Sequence, residues 1–351
     1  MKVVDYNQAP LLLIWEVTRA CALACQHCRA SAEDVRHPLE LSLDQGKGLI
    51  RQVAEMGTPL MVLTGGDPLQ RDDLEDLIRF GKAQGLTMAT IPAATDRLTP
   101  ERIRSLAEAG VDQLALSLDG ETAEKHDTFR MVTGTFSKVL EGARWIREAG
   151  VPLQINSVFG AWNVNDFDAL AQTVEDLGAV FWEIFFLVPT GRGSQLTGCT
   201  AEQMEFLFEK IHTLSRRAPF HIKVTEGQHY RRYYRQQEEA GNGIPPRSRH
   251  PLVASRPVNS GLGFCFVSHT GSIQPSGFLP LDCGNVRTET VADVYQNHSV
   301  FKDLRDLTRF NGKCGSCGYR DFCSGGSRAR TFAVTGDYFN SEEGCAYSVA
   351  R

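Results

Sequence analysis

The chain has 351 residues, 42% of them hydrophobic, with 37 Lys and Arg against 42 Asp and Glu and a formal net charge of -5. This length suits one large domain with a smaller appendage, and so small an imbalance excludes the broad basic field that non-specific nucleic-acid binding requires. The apolar run from Leu11 to Trp15 is too short for a signal-peptide core and is closed by Glu16. No stretch reaches membrane-spanning length, so a cytoplasmic, reducing setting is expected, where ten cysteines serve metal ligation rather than disulfides.

Six apolar, β-branched or aromatic runs recur, at 11–17, 60–63, 87–91, 113–118, 153–159 and 180–188, with segments of helical period between them. Gly57, Gly85, Gly110, Gly150 and Gly178 each fall where a helix would stop just before the next strand. Ser42-Leu43-Asp44-Gln45 reads as a capping box, and Thr99-Pro100 as a cap before proline at the first helical position. Repeated strand–helix units with right-handed crossovers predict an α/β fold of parallel strands, with ligands at the strands' C-terminal ends. The expected division is a barrel over 1–217, a linker or mobile loop over 218–262 and a cysteine-rich block over 263–351.

Cys21, Cys25 and Cys28 stand at CxxxCxxC spacing directly after the first strand. Three such thiolates suit an iron–sulfur cluster with one open iron, but spacing alone leaves structural zinc, closed by His27, equally open. The second strand then ends on Leu63-Thr64-Gly65-Gly66-Asp67-Pro68. With both motifs in place, the N-terminal half resembles the radical S-adenosylmethionine (SAM) superfamily.

That resemblance implies a partial (β/α)6 barrel in which Cys21, Cys25 and Cys28 hold a 4Fe-4S cluster whose open iron chelates the methionine end of SAM. His27 takes the position of the usual aromatic and is read as a neighbour of the cluster. Gly65, Gly66 and Asp67 match the motif that receives the methionine amino group, largely through backbone that glycine lets approach closely. Ser117 and Asp119, ending strand four, together with Arg130 and Asn156, are the other expected SAM contacts. These motifs should converge on one mouth of the barrel.

The C-terminal block contains Cys265, Cys283, Cys314, Cys317, Cys323 and Cys345, with a compact CxxCxxxxxC run at 314–323. A zinc knuckle and an auxiliary iron–sulfur site both suit such a run. The block resembles a SPASM/twitch-like extension, which implies that Cys314, Cys317, Cys323 and Cys345 hold at least one auxiliary 4Fe-4S cluster. Ser327 and Ser276 stand where the full pattern has further cysteines. That leaves Cys265 and Cys283 for a second site, which is absent, incomplete or completed by another ligand, unless the two thiols simply pack in a hairpin.

Val188-Pro189-Thr190-Gly191-Arg192-Gly193, Gly263-Phe264-Cys265-Phe266-Val267-Ser268-His269, Ser327-Arg328-Ala329-Arg330 and Thr335-Gly336-Asp337-Tyr338 resemble a narrower subgroup, that of the alternative haem b synthases and haem d1 biosynthesis proteins. The resemblance implies an oxidoreductase acting on tetrapyrrole propionates, such as those of an iron porphyrin, with an external one-electron donor such as flavodoxin or ferredoxin. It makes Arg192, His269, Arg328 and Arg330 candidate carboxylate contacts. A peptide-modifying enzyme, or one of the same family acting on another small molecule, is the competing reading, although the ten residues before strand one leave no room there for a peptide enzyme's leader-binding module. A zinc-stabilised binding protein is the reading outside enzymes.

Overall fold

A computed structural model of the chain describes residues 4–244 and 257–348. Strands β1 (Leu12–Thr18), β2 (Leu60–Gly65), β3 (Thr87–Thr90), β4 (Gln113–Ser117), β5 (Leu153–Phe159) and β6 (Phe181–Phe186) lie side by side in chain order, every neighbouring pair parallel. Helices α1 (Leu43–Glu55), α2 (Leu74–Ala83), α3 (Pro100–Glu108), α4 (Ala123–Arg130), α5 (Thr135–Glu148) and α6 (Phe167–Asp176) fill the crossovers. Ser42 and Gln45 form the reciprocal capping box of α1, and Thr99 caps α3 ahead of Pro100. The five helix-ending glycines all have positive φ, the conformation for which glycine alone has no steric penalty.

Side chains alternate along each strand, as a sheet with helices on one face and a lumen on the other requires. In β1, Leu13, Trp15 and Val17 are wholly buried in the main core, whereas Leu12 and Ile14 line internal hollows.

The stretch 218–262, expected as a linker, instead contributes ordered structure. After α7 (Ala201–Ser215), β7 (His221–Thr225) adds parallel to β6, and α8 (Tyr230–Glu239) follows; residues 245–256 of that stretch lie outside the described ones. The C-terminal block is likewise not a separate body. Its strand β8 (Phe264–Val267) pairs parallel with β1, and β9 (Ile273–Gln274) pairs antiparallel with β8, giving one nine-stranded sheet ordered β7-β6-β5-β4-β3-β2-β1-β8-β9. Helices α9 (Val291–Asn297), α10 (Ser299–Arg305), α11 (Gly312–Gly315), α12 (Arg320–Cys323) and α13 (Arg328–Thr335) complete the block. Among the described residues no helix is long and apolar enough to cross a membrane.

Candidate functional site

The cysteine loop leaves the C-terminal end of β1 and is pinned from several directions. Cys21 N–H donates to the Glu33 carbonyl at 2.7 Å and Gln26 N–H to the Phe129 carbonyl at 3.0 Å. Each thiol sulfur receives a donor: Cys21 from Leu23 N–H at 3.3 Å, Cys28 from Ala32 N–H at 3.4 Å, and Cys25 from Arg130 Nη1 at 3.5 Å. Burial pushes the Cys21 thiol up to about 12, so ionising it calls for a cation at the sulfur, as metal ligation supplies. His27 stacks on Phe129, centroids 4.7 Å apart and rings within 6° of parallel, and Phe129 stacks in turn on Trp162. Burial and the neighbouring Arg130 push the His27 imidazole down to about 4, which keeps it neutral.

The Gly65-Gly66 turn at the end of β2 touches the same loop from below. Gly66 N–H donates to the Thr18 carbonyl and Asp67 N–H to that of Ala20. A Cβ on Gly66 would sit 2.5 Å from the carbonyl oxygens of both Arg19 and Ala20. The Asp67 side chain does not face the hollow. It accepts from Leu69 N–H, Ala93 N–H and the Thr95 hydroxyl, and so ties the end of β2 to the segment after β3.

Register brings Ser117 of β4 beside Asn156 of β5. Asn156 Oδ1 accepts from Gln154 Nε2 at 2.6 Å, and that amide also reaches Glu183. Asp119 is buried, accepts from Val158 N–H at 2.8 Å and forms a short ion pair with Arg130. Burial opposes both charges, yet the pairing holds the Asp119 carboxyl below its ordinary range and the Arg130 guanidinium above its own.

Cys21, Cys25, Cys28, Gly65, Gly66, Ser117, Asp119, Arg130 and Asn156 thus line one hollow of about 250 Å³ at the strands' C-terminal ends. Arg29, Phe264, Phe266 and Phe278 line it too. Arg29 pairs with Glu16 at 2.5 Å, donates to the Gly277 carbonyl and lies over the Phe266 ring. The sequence signal for Arg29 is its place immediately after the third cysteine; the three phenylalanines carry none, because the pairing of β8 with β1 is what brings them to the hollow.

Cys314, Cys317, Cys323 and Cys345 line a second, small hollow together with His229, Arg232 and Glu342. Tyr319 N–H donates to Cys317 Sγ at 3.4 Å and Glu342 N–H to Cys314 Sγ at 3.5 Å. Among the described residues no three thiol, imidazole or carboxylate groups converge closely enough for a single metal ion. In both places the thiols instead edge a hollow, an arrangement that suits a multi-iron cluster better than one tetrahedral zinc. Cys265 and Cys283 lie in the main hydrophobic core and edge neither hollow. Ser327 caps α13 and bonds to Glu226, and Ser276 accepts from Phe278 N–H, so both serines serve the backbone.

The four basic residues expected to meet carboxylates are engaged by the protein and lie off the larger hollow. Arg192 donates to the carbonyls of Cys25 at 2.9 Å and Ala32 at 3.2 Å, while its own N–H reaches the Cys28 carbonyl. His269 pairs with Glu16 at 2.8 Å. Arg328 donates to the carbonyls of Tyr338 and Asn340, and Arg330 pairs with Glu342 at 2.9 Å. Arg328 and Arg330 are buried, and a buried guanidinium takes carbonyl and carboxylate partners wherever the fold offers them.

Residues 15–174 match the Radical SAM superfamily profile. Over 346 residues the chain is 40% identical to the AdoMet-dependent heme synthase of Oleidesulfovibrio alaskensis, covering 98% of this chain and 89% of that protein. It is 36% identical to the protein of the same name from Methanosarcina barkeri, covering 98% and 99%. The crystal structure of Streptococcus suis SuiB bound to S-adenosylmethionine superposes with a TM-score of 0.73 at 16% identity, over 97% of this chain and 78% of SuiB, a likeness of fold. The thiol triad at the mouth of a parallel barrel and this end-to-end similarity lead to one assignment: the chain belongs to the radical SAM superfamily.

Proposed function

We propose that the chain decarboxylates propionate arms of an iron tetrapyrrole, a reading supported by its similarity to proteins named AdoMet-dependent heme synthase. The observation that carries this reading is identity of 36–40% running over 98% of the chain to proteins of that name. In the reaction a propionate loses a hydrogen atom from the carbon beside the ring, and the bond between the next carbon and the carboxylate breaks. Carbon dioxide leaves, one electron passes to an acceptor, and a vinyl group remains.

The cluster and SAM, when bound, supply the 5′-deoxyadenosyl radical that takes the hydrogen atom. Cys21, Cys25 and Cys28 hold the cluster, and the backbone of Gly65 and Gly66 receives the methionine end of SAM. Ser117 and Asn156, side by side on adjacent strands, would contact bound SAM, and the Asp119–Arg130 pair fixes the wall beside Cys25. Ile14, Ile91, Val158 and the phenylalanines of β8 keep water and stray hydrogen donors from the lumen. Cys314, Cys317, Cys323 and Cys345 would hold an auxiliary cluster, which would supply electron-transfer chemistry there, and a flavodoxin or ferredoxin would serve as the external donor.

Anaerobic reconstitution with SAM, reductant and iron-coproporphyrin III tests the reading. Carbon dioxide and 5′-deoxyadenosine should form together with vinyl product. Deoxyadenosine without tetrapyrrole turnover would retain the enzyme class and overturn the substrate.

A further inference from the structure

Two guanidinium groups line the larger hollow, Arg29 and Arg130. Arg130 is committed to the wall itself, through its short ion pair with buried Asp119 and its donation to Cys25 Sγ at 3.5 Å. Arg29 holds donors in reserve. Its Nη2 pairs with Glu16 at 2.5 Å and its Nη1 donates to the Gly277 carbonyl at 3.3 Å, and among the described residues no further hydrogen bond engages it. Those two bonds leave part of the guanidinium's fork of N–H groups without a protein partner. Unlike Arg130 Nε, which is closed in without a partner, the unpaired Nε of Arg29 is not buried, and the Arg29 side chain keeps 20% of its surface exposed against 10% for Arg130.

The surroundings of Arg29 hold it in place. Its Cζ lies over the Phe266 ring, 4.7 Å from the centroid, and Gly277 leaves room for it, since a Cβ there would come within 3.1 Å of Arg29 Cζ and Nε. Glu16 is shared, its other oxygen pairing with His269 at 2.8 Å, so Arg29 is not its sole partner. Glu16 belongs to β1 and Phe266 to β8, whereas the expected SAM contacts Ser117 and Asn156 belong to β4 and β5, with β2 and β3 between the two groups. Arg29 therefore stands apart from those contacts, on the side of the hollow walled by Ile14, Phe264, Phe266 and Phe278. A carboxylate entering so apolar a wall loses its hydration, which is costly unless a cation meets it there.

We propose that Arg29 binds a propionate carboxylate of the substrate and so selects molecules whose arms are ionised acids. This role deepens the tetrapyrrole reading and rests on it, because that reading supplies the acid arm. The planar fork of a guanidinium matches the two oxygens of a carboxylate, and the donors that Glu16 and Gly277 leave over are the ones the arm would take. The apolar remainder of the substrate would meet the phenylalanines of the same wall. Arg192, His269, Arg328 and Arg330, the basic residues expected to meet carboxylates, lie off this hollow, and Arg29 takes the part expected of them.

Absorbance titrations of cluster-loaded protein without reductant test the proposal, using iron-coproporphyrin III and its tetramethyl ester, with SAM affinity measured alongside by calorimetry. In Arg29→Met the affinity for the acid should fall about tenfold, near the lower end for a hydrogen bond to a charged group, while the ester and SAM bind as they do to the wild type. An acid-to-ester ratio that Arg29→Met leaves unchanged would overturn the role and leave Arg29 as a partner of Glu16 alone. A matching loss of SAM affinity would overturn it in favour of SAM as the bound carboxylate. If the acid does not bind the wild type at all, the tetrapyrrole reading falls and takes this role with it, an outcome distinct from an unchanged ratio. Should Glu16, deprived of Arg29, prevent Arg29→Met from folding, the double change Arg29→Met and Glu16→Gln removes both charges, and the same ratio decides.

Discussion

At Gly66 the chain has no room for a side chain, because the carbonyls of Arg19 and Ala20 close over it. Gly66→Ala must push the cysteine loop away from β2, so it should destabilise the fold by about 1–3 kcal/mol and weaken SAM binding, measured by urea unfolding and equilibrium binding. Glu16 gives a pH signature. Burial alone would raise its carboxyl, but Arg29 and His269 outweigh that and hold it at about 2 rather than the ordinary 4.5. Between those values the unfolded chain binds a proton that the folded one refuses. The stabilisation is therefore complete above about 4.5 and drains away as pH falls toward about 2. Glu16→Gln should be less stable near neutrality, with the gap to wild type narrowing through that window in urea titrations; a constant gap would refute the pairing. The motifs at Cys21 and Gly65 lead to residues that line the larger hollow, because their spacing is local. Arg192 and Arg330 lie off that hollow, because a guanidinium's partner depends on which carbonyls the fold presents, and local sequence does not encode that.

Among elements, the segment after β6 acts as a clamp on the cysteine loop. Gly191 has φ 55 and approaches so closely that a Cβ would lie 2.3 Å from the Arg29 carbonyl oxygen, and Arg192 follows with its donors to Cys25, Cys28 and Ala32. Arg192→Ala removes two side-chain hydrogen bonds from a charged donor, each worth about 1.5–3 kcal/mol, and loosens the loop without touching a thiol. Iron should then leave the anaerobic protein several-fold faster under a chelator, while the far-UV circular dichroism is unchanged; wild-type release would remove the clamp from the account. The six leading strands were readable because apolar runs end on helix-capping glycines in a fixed order. Strand β7 was missed because its five residues alternate His221, Lys223 and Thr225 toward one side with Ile222 and Val224 between them, a pattern too short and polar to stand out. Helix α8 follows in a stretch of Arg, Tyr and Gln whose packing onto the C-terminal block only the tertiary fold reveals.

For the molecule as a whole, the parallel pairing of β8 with β1 decides how the parts depend on one another. Phe264, Phe266 and Phe278 from the C-terminal block wall the hollow that the N-terminal thiols open into, so the block completes the barrel as well as carrying its own cysteines. Deleting 263–351 would bare the β1 edge, whose unpaired backbone next to apolar Leu12 and Ile14 is an aggregation template; the shortened chain should be insoluble. The double change Cys314→Ser and Cys345→Ser leaves that pairing intact and removes only two thiols from the smaller hollow. The altered protein should stay folded and drop from about eight irons to about four. It should still form deoxyadenosine from SAM, because the first three cysteines and their hollow are untouched. Vinyl product should vanish, since the electron released on loss of carbon dioxide has no acceptor. Full product formation at four irons would show that the C-terminal thiols serve the fold alone, and the acceptor would then have to lie outside the chain.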